Sequence, residues 1–248
     1  MSNLENQLKE THERINRACK KVGRDSSEVT LMLATKTVSA EKINHAVDAG
    51  EKLLGENRVQ ELQQKHSLID ENKAQWHFIG HLQTNKINQV LPYVTCIQSV
   101  DRLKLARKLH NRLTKDEKKL DILVQVNTSY EESKFGVLPE NTLEFIEQLI
   151  EFDTLQIKGL MTIGKLSSHS EETRKSFRLL KSIQEQVIEQ GYLDKGVEMD
   201  VLSMGMSGDL EAAIEEGATM VRVGTAIFGD REYPDSYYWN EQIPEIDE

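Results

Sequence analysis

Short apolar runs and amphipathic stretches alternate along this chain, and that alternation restricts its fold more than any other feature. The apolar runs have the length of buried strands, and the stretches between them carry apolar residues at helical spacing. An α/β chain of this kind forms either a (β/α)8 TIM-type barrel or a doubly wound open sheet. Eight strands are predicted, and the first lacks the glycine-rich turn usual in an open sheet, so the pattern favours the barrel.

The predicted barrel makes the chain a single domain of 248 residues. An extra amphipathic helix is predicted over residues 2–22, because apolar residues recur there at helical intervals ahead of the first strand. The barrel covers about residues 30–230, and an acidic, aromatic tail covers about residues 231–248. The predicted strands are residues 31–36, 52–55, 76–80, 94–99, 122–127, 156–161, 198–203 and 219–224.

Composition excludes several classes of protein. A net charge of −10 disfavours nucleic acid as a partner, because phosphate backbones require basic patches. No apolar run is long enough to span a bilayer, and the polar N-terminus does not resemble a signal peptide. The two cysteines form no metal or redox motif, which is typical of a reducing compartment. We therefore expect a cytoplasmic protein with no membrane partner and no metal site.

Polar residues follow the predicted strands on the face where barrels of this class bind ligands. Lys36 ends the first apolar run, and a segment of small residues, 203–209, leads from the seventh strand into a helix. Arg222 precedes Gly224 and Thr225 at the end of the eighth strand. Loops after strands seven and eight form the usual phosphate site of this fold, where peptide N–H groups and a guanidinium bind an anion. The sequence thus predicts a phosphate site facing Lys36.

A lysine that faces a phosphate site is suited to forming a Schiff base with a phosphorylated aldehyde. Partial burial and a neighbouring cation, either Arg58 or Arg222, would lower the pKa of the Lys36 amine and keep it nucleophilic. The aldehyde is either pyridoxal phosphate or a sugar phosphate, as in lysine-dependent aldolases. The residues alone leave both possibilities open.

A set of segments between about residues 31 and 231 forms a more specific combination. They are ATKT at 34–37, GENRVQE at 55–61, WHFIGHLQTNK at 76–86, QSVD at 98–101, VN at 126–127, SKFG at 133–136, GLMT at 159–162, LSMGMS at 202–207 with Asp209, and VRVGTAIFG at 221–229. Together they resemble the pyridoxal phosphate homeostasis protein family, whose members are similar to the barrel domain of alanine racemase.

The resemblance implies a fold type III barrel that binds pyridoxal 5′-phosphate (PLP). It implies cofactor-binding residues in three roles, which are Lys36 as the Schiff-base lysine, Asn57 and Ser203 near the cofactor, and Ser207, Arg222, Gly224 and Thr225 at the phosphate. Two places depart from the family pattern, His81 and residues 164–166. Both are predicted at the rim, so they bear on loop shape rather than on cofactor binding.

The resemblance also implies a protein that buffers PLP or supplies it to PLP-dependent apo-enzymes, without strong catalytic activity of its own. A PLP racemase needs a base on each face of the substrate. In alanine racemase the second base is a tyrosine of a separate β domain. This chain ends soon after its eighth strand, and its only tyrosines beyond that strand, Tyr233, Tyr237 and Tyr238, are expected in the tail. A small racemase with a substitute base is the alternative function, and a class I aldolase a weaker one. A monomer is expected.

Overall fold

The computed structural model of the chain describes residues 3–164 and 170–229. Its strands are β1 (Thr30–Ala34), β2 (Leu53–Glu56), β3 (Gln75–Phe78), β4 (Cys96–Val100), β5 (Leu120–Gln125), β6 (Leu155–Met161), β7 (Val201–Met206) and β8 (Met220–Val223). Each strand pairs in parallel with the next, and β8 also pairs with β1, which closes the sheet. The predicted (β/α)8 TIM-type barrel is therefore confirmed.

Helices follow the strands as the alternation predicted. They are α1 (Asn3–Lys21), α2 (Ala40–Asp48), α3 (Val59–His66), α4 (Ile87–Val90), α5 (Leu103–Lys115), α6 (Thr142–Ile150), α7 (Ser170–Glu189), α8 (Leu210–Glu215) and α9 (Thr225–Phe228). Short 3₁₀ turns cover Ser26–Glu28, Thr84–Lys86, Pro139–Asn141 and Tyr192–Lys195. Ser39 caps α2, because its hydroxyl accepts a hydrogen bond from the Lys42 amide at 3.4 Å.

Strand residues alternate between the helix layer and the barrel interior, because successive side chains of a strand point to opposite faces. In β8, Val221 and Val223 join the apolar cluster that includes residues of the surrounding helices. Arg222, between them, is buried but donates hydrogen bonds to polar atoms of β7 and of the loop after β6. The barrel interior therefore contains polar and charged groups, whereas the layer between sheet and helices is apolar.

Some predicted boundaries are wrong in ways that affect the site. The seventh strand was predicted over residues 198–203 but runs from Val201 to Met206, so Ser203 lies within the strand rather than at its end. The second strand was predicted over residues 52–55 but runs from Leu53 to Glu56, so Glu56 is its last residue. The first strand ends at Ala34, which places Lys36 in the loop after it. The short helix α9 was not predicted.

The predicted N-terminal helix is present as α1, and it packs on the side of the barrel against α8 and α9. Its buried face includes Leu8, Ile15 and Cys19. Burying such side chains contributes about 1.5–3 kcal/mol for each large aliphatic residue. The predicted helix begins at Ser2, which lies outside the described residues. The predicted tail at 231–248 also lies outside them. Helix α1 is thus attached to the part of the barrel that carries the predicted phosphate site.

Candidate functional site

Lys36 lies in the loop between β1 and α2, at the carboxyl end of the barrel strands. Its side chain is half-buried, between the fully buried Thr35 and the exposed Thr37. Thr37 has a φ of +64°, a left-handed conformation that is unfavourable for a β-branched residue. The Thr37 amide donates a hydrogen bond to Glu61 Oε2 at 2.8 Å, which holds this conformation in place.

A buried ion cluster lies beneath the Lys36 loop. The Lys65 ammonium donates hydrogen bonds to Glu56 Oε2 at 2.8 Å, to Glu61 Oε2 at 2.6 Å and to the Thr35 carbonyl oxygen at 2.8 Å. Glu56 is fully buried, and burial raises the pKa of its carboxyl group, an effect that the nearby Lys65 charge opposes. Glu56 lies one residue beyond the predicted second strand, 52–55, and the local sequence pattern does not single out Lys65. We call this cluster and residues 35–37 the lysine side of the mouth.

Asn57 follows β2 and lies beside the lysine side. Its Oδ1 atom is buried and has no hydrogen-bond partner among residues 3–164 and 170–229. Gly80 allows the close approach of this loop, since a Cβ atom there would lie 2.2 Å from the Asn57 carbonyl oxygen. A buried amide oxygen without a donor is costly, so the position is suited to a ligand that supplies one.

The predicted phosphate residues lie where β7 and β8 end. The Ser207 hydroxyl accepts hydrogen bonds from the peptide N–H groups of Gly224 at 3.3 Å and Ala226 at 3.2 Å. Thr225, between them, begins α9. Gly205 makes the turn possible, because its φ is +91° and a Cβ atom there would lie 2.4 Å from the Ala213 Cβ. We call residues 205–209 and 224–226 the phosphate side of the mouth.

Helix α1 supports the phosphate side from outside. Arg14 Nη2 donates a hydrogen bond to the Ser207 carbonyl oxygen at 2.9 Å. The same guanidinium donates to both carboxylate oxygens of Glu211 on α8, at 2.6 and 2.8 Å. This pair raises the pKa of Arg14 and lowers that of Glu211. The local sequence pattern of α1 predicts a helix but no contact between this helix and the site.

The lysine and phosphate sides meet because β1 pairs with both β2 and β8. Gly224 packs directly against the end of β1, where a Cβ atom on Gly224 would lie 3.1 Å from the Ala34 carbonyl oxygen. A larger residue at 224 would push this turn away from the loop that carries Lys36. The structure therefore brings together Lys36, Asn57, Ser207, Gly224 and Thr225 around adjacent strand ends.

Ser203 and Arg222 lie deeper, inside the barrel. Arg222 Nη1 donates to Ser203 Oγ at 2.8 Å, and Nη2 donates to the Thr162 carbonyl oxygen at 2.8 Å. Burial lowers the pKa of Arg222 to about 10, which still leaves the guanidinium protonated at neutral pH. Arg222 was predicted to hold a phosphate from the end of a strand. The structure places it one layer below the phosphate side, as a buried cation bonded to Ser203.

A chain of hydrogen bonds continues from this pair across the barrel. Ser203 Oγ donates to Gln98 Oε1 at 2.7 Å, and Gln98 Nε2 donates to His77 Nδ1 at 2.8 Å. Burial lowers the pKa of His77 to about 4, so the imidazole is neutral and can accept. His77 belongs to β3 and takes part in this chain of hydrogen bonds inside the barrel. His81 was predicted to lie in a loop, and there its ring stacks on Phe135 with 3.8 Å between centroids.

Comparisons with known proteins agree with this arrangement. The family model described as alanine racemase, N-terminal domain, matches residues 7–232. A pyridoxal phosphate homeostasis protein from Aquifex aeolicus is 42% identical over 221 residues, which cover 89% of this chain and 95% of the relative. The chain belongs to the pyridoxal phosphate homeostasis protein family.

A solved member of similar size is PipY of Synechococcus elongatus, whose structure has PLP bound. The PipY chain is 31% identical to this chain. The match covers 87% of this chain and 100% of PipY, with a TM-score of 0.75. Alanine racemase of Clostridium difficile is 16% identical and has a TM-score of 0.70 over 95% of this chain and 58% of that chain, a likeness in fold alone. Within residues 3–164 and 170–229, no helix is both long and apolar enough to cross a membrane.

The residues present in this family member suit PLP. An aldehyde-bearing pyridine with a phosphate needs an amine, an anion site and polar partners for its ring substituents. Lys36 supplies the amine, and the phosphate side supplies small residues and peptide N–H groups. The buried Asn57 Oδ1 without a donor and the buried Arg222 cation supply polar partners.

Proposed function

We propose that this chain binds PLP at the barrel mouth and contributes to PLP homeostasis. The observation that carries the proposal is the packing of Gly224 against Ala34, which sets the phosphate side against the loop bearing Lys36. The reactive amine and the anion site therefore face one small ligand. The PLP bound to PipY supports this assignment.

Lys36 is the residue that bonds the cofactor covalently. Bound PLP would supply an aldehyde carbon as the electrophile, and the Lys36 amine would hold it through a covalent bond that water or another amine can reverse. A carrier needs this reversibility, because PLP must be released intact.

The other cofactor residues bind and orient. Ser207, Gly224 and Thr225 hold the phosphate through hydroxyl and peptide N–H groups. Their neutral donors leave the phosphate charge to be balanced by the buried Arg222, which Ser203 holds in place by a hydrogen bond. Asn57 receives a donor for its buried Oδ1 atom when the ligand is present.

We propose further that the protein stores and supplies PLP rather than using it for strong catalysis, with PLP-dependent apo-enzymes as recipients. It acts as a monomer in the cytoplasm. The two cysteines, Cys19 and Cys96, are free and buried, which supports a reducing compartment. Light scattering tests the monomer, which would give the mass of 28.4 kDa.

Transfer of the cofactor tests the function. The protein is loaded with PLP and mixed with an apo-enzyme, and recovery of the apo-enzyme's activity is followed against an equal amount of free PLP. We expect the recovered activity of the apo-enzyme to rise with the amount of loaded protein. This recovery should be lost when Lys36→Ala is used in place of the wild type. Lys42→Ala, an exposed lysine on α2, is the control and should behave as the wild type.

Exchange of amino-acid α-protons in heavy water tests the racemase alternative. A storage protein should exchange them no faster than free PLP does. Exchange that is much faster, and that depends on Lys36, would contradict the storage role and support a racemase. Covalent capture of a sugar phosphate in place of PLP would support the aldolase instead.

A further inference from the structure

The ion cluster of the lysine side has no assigned part in binding the cofactor. Lys65 and Glu61 lie four residues apart on one face of α3, which turns both side chains toward the Lys36 loop. The ammonium of Lys65 has three N–H donors, and the structure gives a partner to each of them, Glu56, Glu61 and Thr35. Its position is therefore defined by three directions rather than by a single ion pair.

The contacts of this cluster end on the two peptide groups that flank Lys36. Lys65 binds the carbonyl oxygen of Thr35 directly, at 2.8 Å. Glu61, held by Lys65, accepts the amide hydrogen of Thr37. Residue 36 thus has a fixed peptide on each side, and both are held by the same ammonium.

Thr37 shows that this support has a conformational purpose. Its left-handed backbone is disfavoured for threonine and persists only where surrounding contacts enforce it. The hydrogen bond to Glu61 is such a contact. Loss of the cluster would let residue 37 return to a favoured conformation and would turn the peptide that follows Lys36.

The same cluster also reaches Asn57. Glu56 Oε1 accepts hydrogen bonds from the amides of Asn57 at 2.8 Å and Arg58 at 3.4 Å. Its other oxygen, Oε2, lies 3.1 Å from the Thr35 hydroxyl, which donates to it. One buried unit therefore sets both the loop that carries the amine and the loop that carries the amide oxygen without a donor.

We propose that Lys65 is a positioning residue for Lys36, fixing the peptide groups on either side of it directly and through Glu61. The inference rests on the proposed function, since it assigns a role in forming the bond between Lys36 and PLP. Lys65 does not touch the phosphate side, so its effect falls on covalent capture of the aldehyde and leaves phosphate recognition intact.

Two ligands separate these contributions. PLP reports on phosphate binding and bond formation together, whereas pyridoxine 5′-phosphate has an alcohol in place of the aldehyde and reports on noncovalent binding alone. In Lys65→Met we expect the dissociation constant for PLP to rise at least about tenfold, the cost of one lost charged hydrogen bond. That for pyridoxine 5′-phosphate should change less than about twofold, because the phosphate side and the hydrogen bonds from the Asn57 and Arg58 amides to Glu56 Oε1 do not involve Lys65. Lys73→Met, which removes a lysine from an exposed ion pair with Asp48, is the control and should alter neither.

A second pair of variants serves if Lys65→Met does not fold. Glu61→Ala removes the acceptor of the Thr37 amide, whereas Glu61→Gln keeps a side-chain oxygen that can accept the same hydrogen bond. We expect Glu61→Ala to slow the appearance of the bound-cofactor absorbance band at saturating PLP, and Glu61→Gln to recover most of the rate. A purely structural role would not distinguish these two variants when both fold.

The outcomes are distinct. Equal losses for PLP and pyridoxine 5′-phosphate, or no loss for either, would overturn the positioning role. If the wild type and Lys36→Ala bound PLP equally well, the proposed function itself would fail, and the role of Lys65 with it. That result is read from the wild type and Lys36→Ala alone, so the two failures cannot be confused.

Discussion

On the lysine side of the mouth, a buried ammonium binds two carboxylates and a peptide carbonyl. On the phosphate side, a hydroxyl accepts hydrogen bonds from peptide N–H groups within a turn of small residues, and the ion pair that supports this turn, Arg14 with Glu211, lies outside on α1 and α8. A reactive amine needs a defined direction of approach, which a rigid cluster of charges supplies. A phosphate needs close backbone approach, which small side chains allow.

The difference predicts that the lysine side is sensitive to charge and the phosphate side to side-chain volume. Breaking a buried ion cluster leaves a charge without a partner in a medium of low polarity. Adding atoms to a tight turn forces the backbone to move. Variants on the two sides should therefore fail for different reasons and by different amounts.

Lys65→Met should cause the largest loss of stability. It leaves Glu56 fully buried without its cation, so we expect the free energy of unfolding to fall by about 3–5 kcal/mol. Denaturation with urea measures the change. Lys73→Met should change it by no more than about 0.5 kcal/mol, because its ion pair is exposed. A loss below about 1 kcal/mol in Lys65→Met would show that the lysine side does not depend on charge.

Gly205→Ala should follow on the phosphate side. The new Cβ would overlap that of Ala213, and the φ of +91° is unfavourable for alanine, so we expect a loss of about 2–4 kcal/mol. Gly208→Ala, in the turn directly after β7, is the control, since a Cβ atom there meets nothing within 4 Å. Its free energy of unfolding should stay within about 0.5 kcal/mol of the wild type. Equal losses in the two variants would remove the role given to side-chain volume.

Arg14→Met should have a smaller effect. The Arg14–Glu211 pair is partly exposed, so solvent screening limits the loss of stability to about 1 kcal/mol. Because Arg14 also holds the Ser207 carbonyl, we expect pyridoxine 5′-phosphate to dissociate a few times faster. Lys21→Met, which removes another ion pair of α1, should leave that rate unchanged. An unchanged rate in Arg14→Met would show that α1 does not support the phosphate side.

The smallest expected effect is a dependence of stability on pH that has opposite signs for Glu56, on the lysine side, and for Glu211, on helix α8 next to the phosphate side. Burial raises the pKa of Glu56, so its contribution to stability is complete below its ordinary pKa and is lost as the pH rises through the raised value. Glu56→Gln removes that loss. The stability of this variant relative to the wild type should therefore improve as the pH rises from mildly acidic to neutral.

Glu211 should behave in the opposite way. Arg14 lowers its pKa, so its contribution is present above the ordinary pKa and is lost as the pH falls through the lowered value. The free energy of unfolding of Glu211→Gln should therefore be closest to that of the wild type, or exceed it most, at acidic pH. Urea denaturation at several pH values measures how the stability of each variant, relative to the wild type, changes with pH. Changes of the same sign in Glu56→Gln and Glu211→Gln would contradict the opposite pKa shifts of the two carboxyl groups.

Local pattern was enough to predict much of this molecule. The β/α alternation predicted the barrel, and the residues after the last two strands predicted where Ser207, Gly224 and Thr225 would meet. These features depend on short stretches of sequence, where spacing and residue type directly reflect backbone geometry. Lys36 was placed at the mouth for the same reason.

Contacts between distant segments could not be predicted in this way. Helix α2, strand β2 and most of helix α3 separate Lys65 from Lys36 along the chain, and the two residues come together only after β1 pairs with β2. Ser203 was predicted to end the seventh strand at residues 198–203, yet the strand begins later and carries Ser203 into the interior. Helix α9 is too short to show a helical period. Each of these features depends on how distant segments pair and pack, which composition and local spacing do not predict.

Chemical trapping tests directly whether Lys36 is the residue that bonds PLP. The protein is incubated with PLP and reduced with sodium borohydride, which makes the bond to the amine permanent, and the digested peptides are examined by mass spectrometry. We predict the added mass on the peptide that contains Lys36, its absence in Lys36→Ala, and its retention in Lys42→Ala. Modification of another lysine in the wild type, with the Lys36 peptide unmodified, would contradict the account.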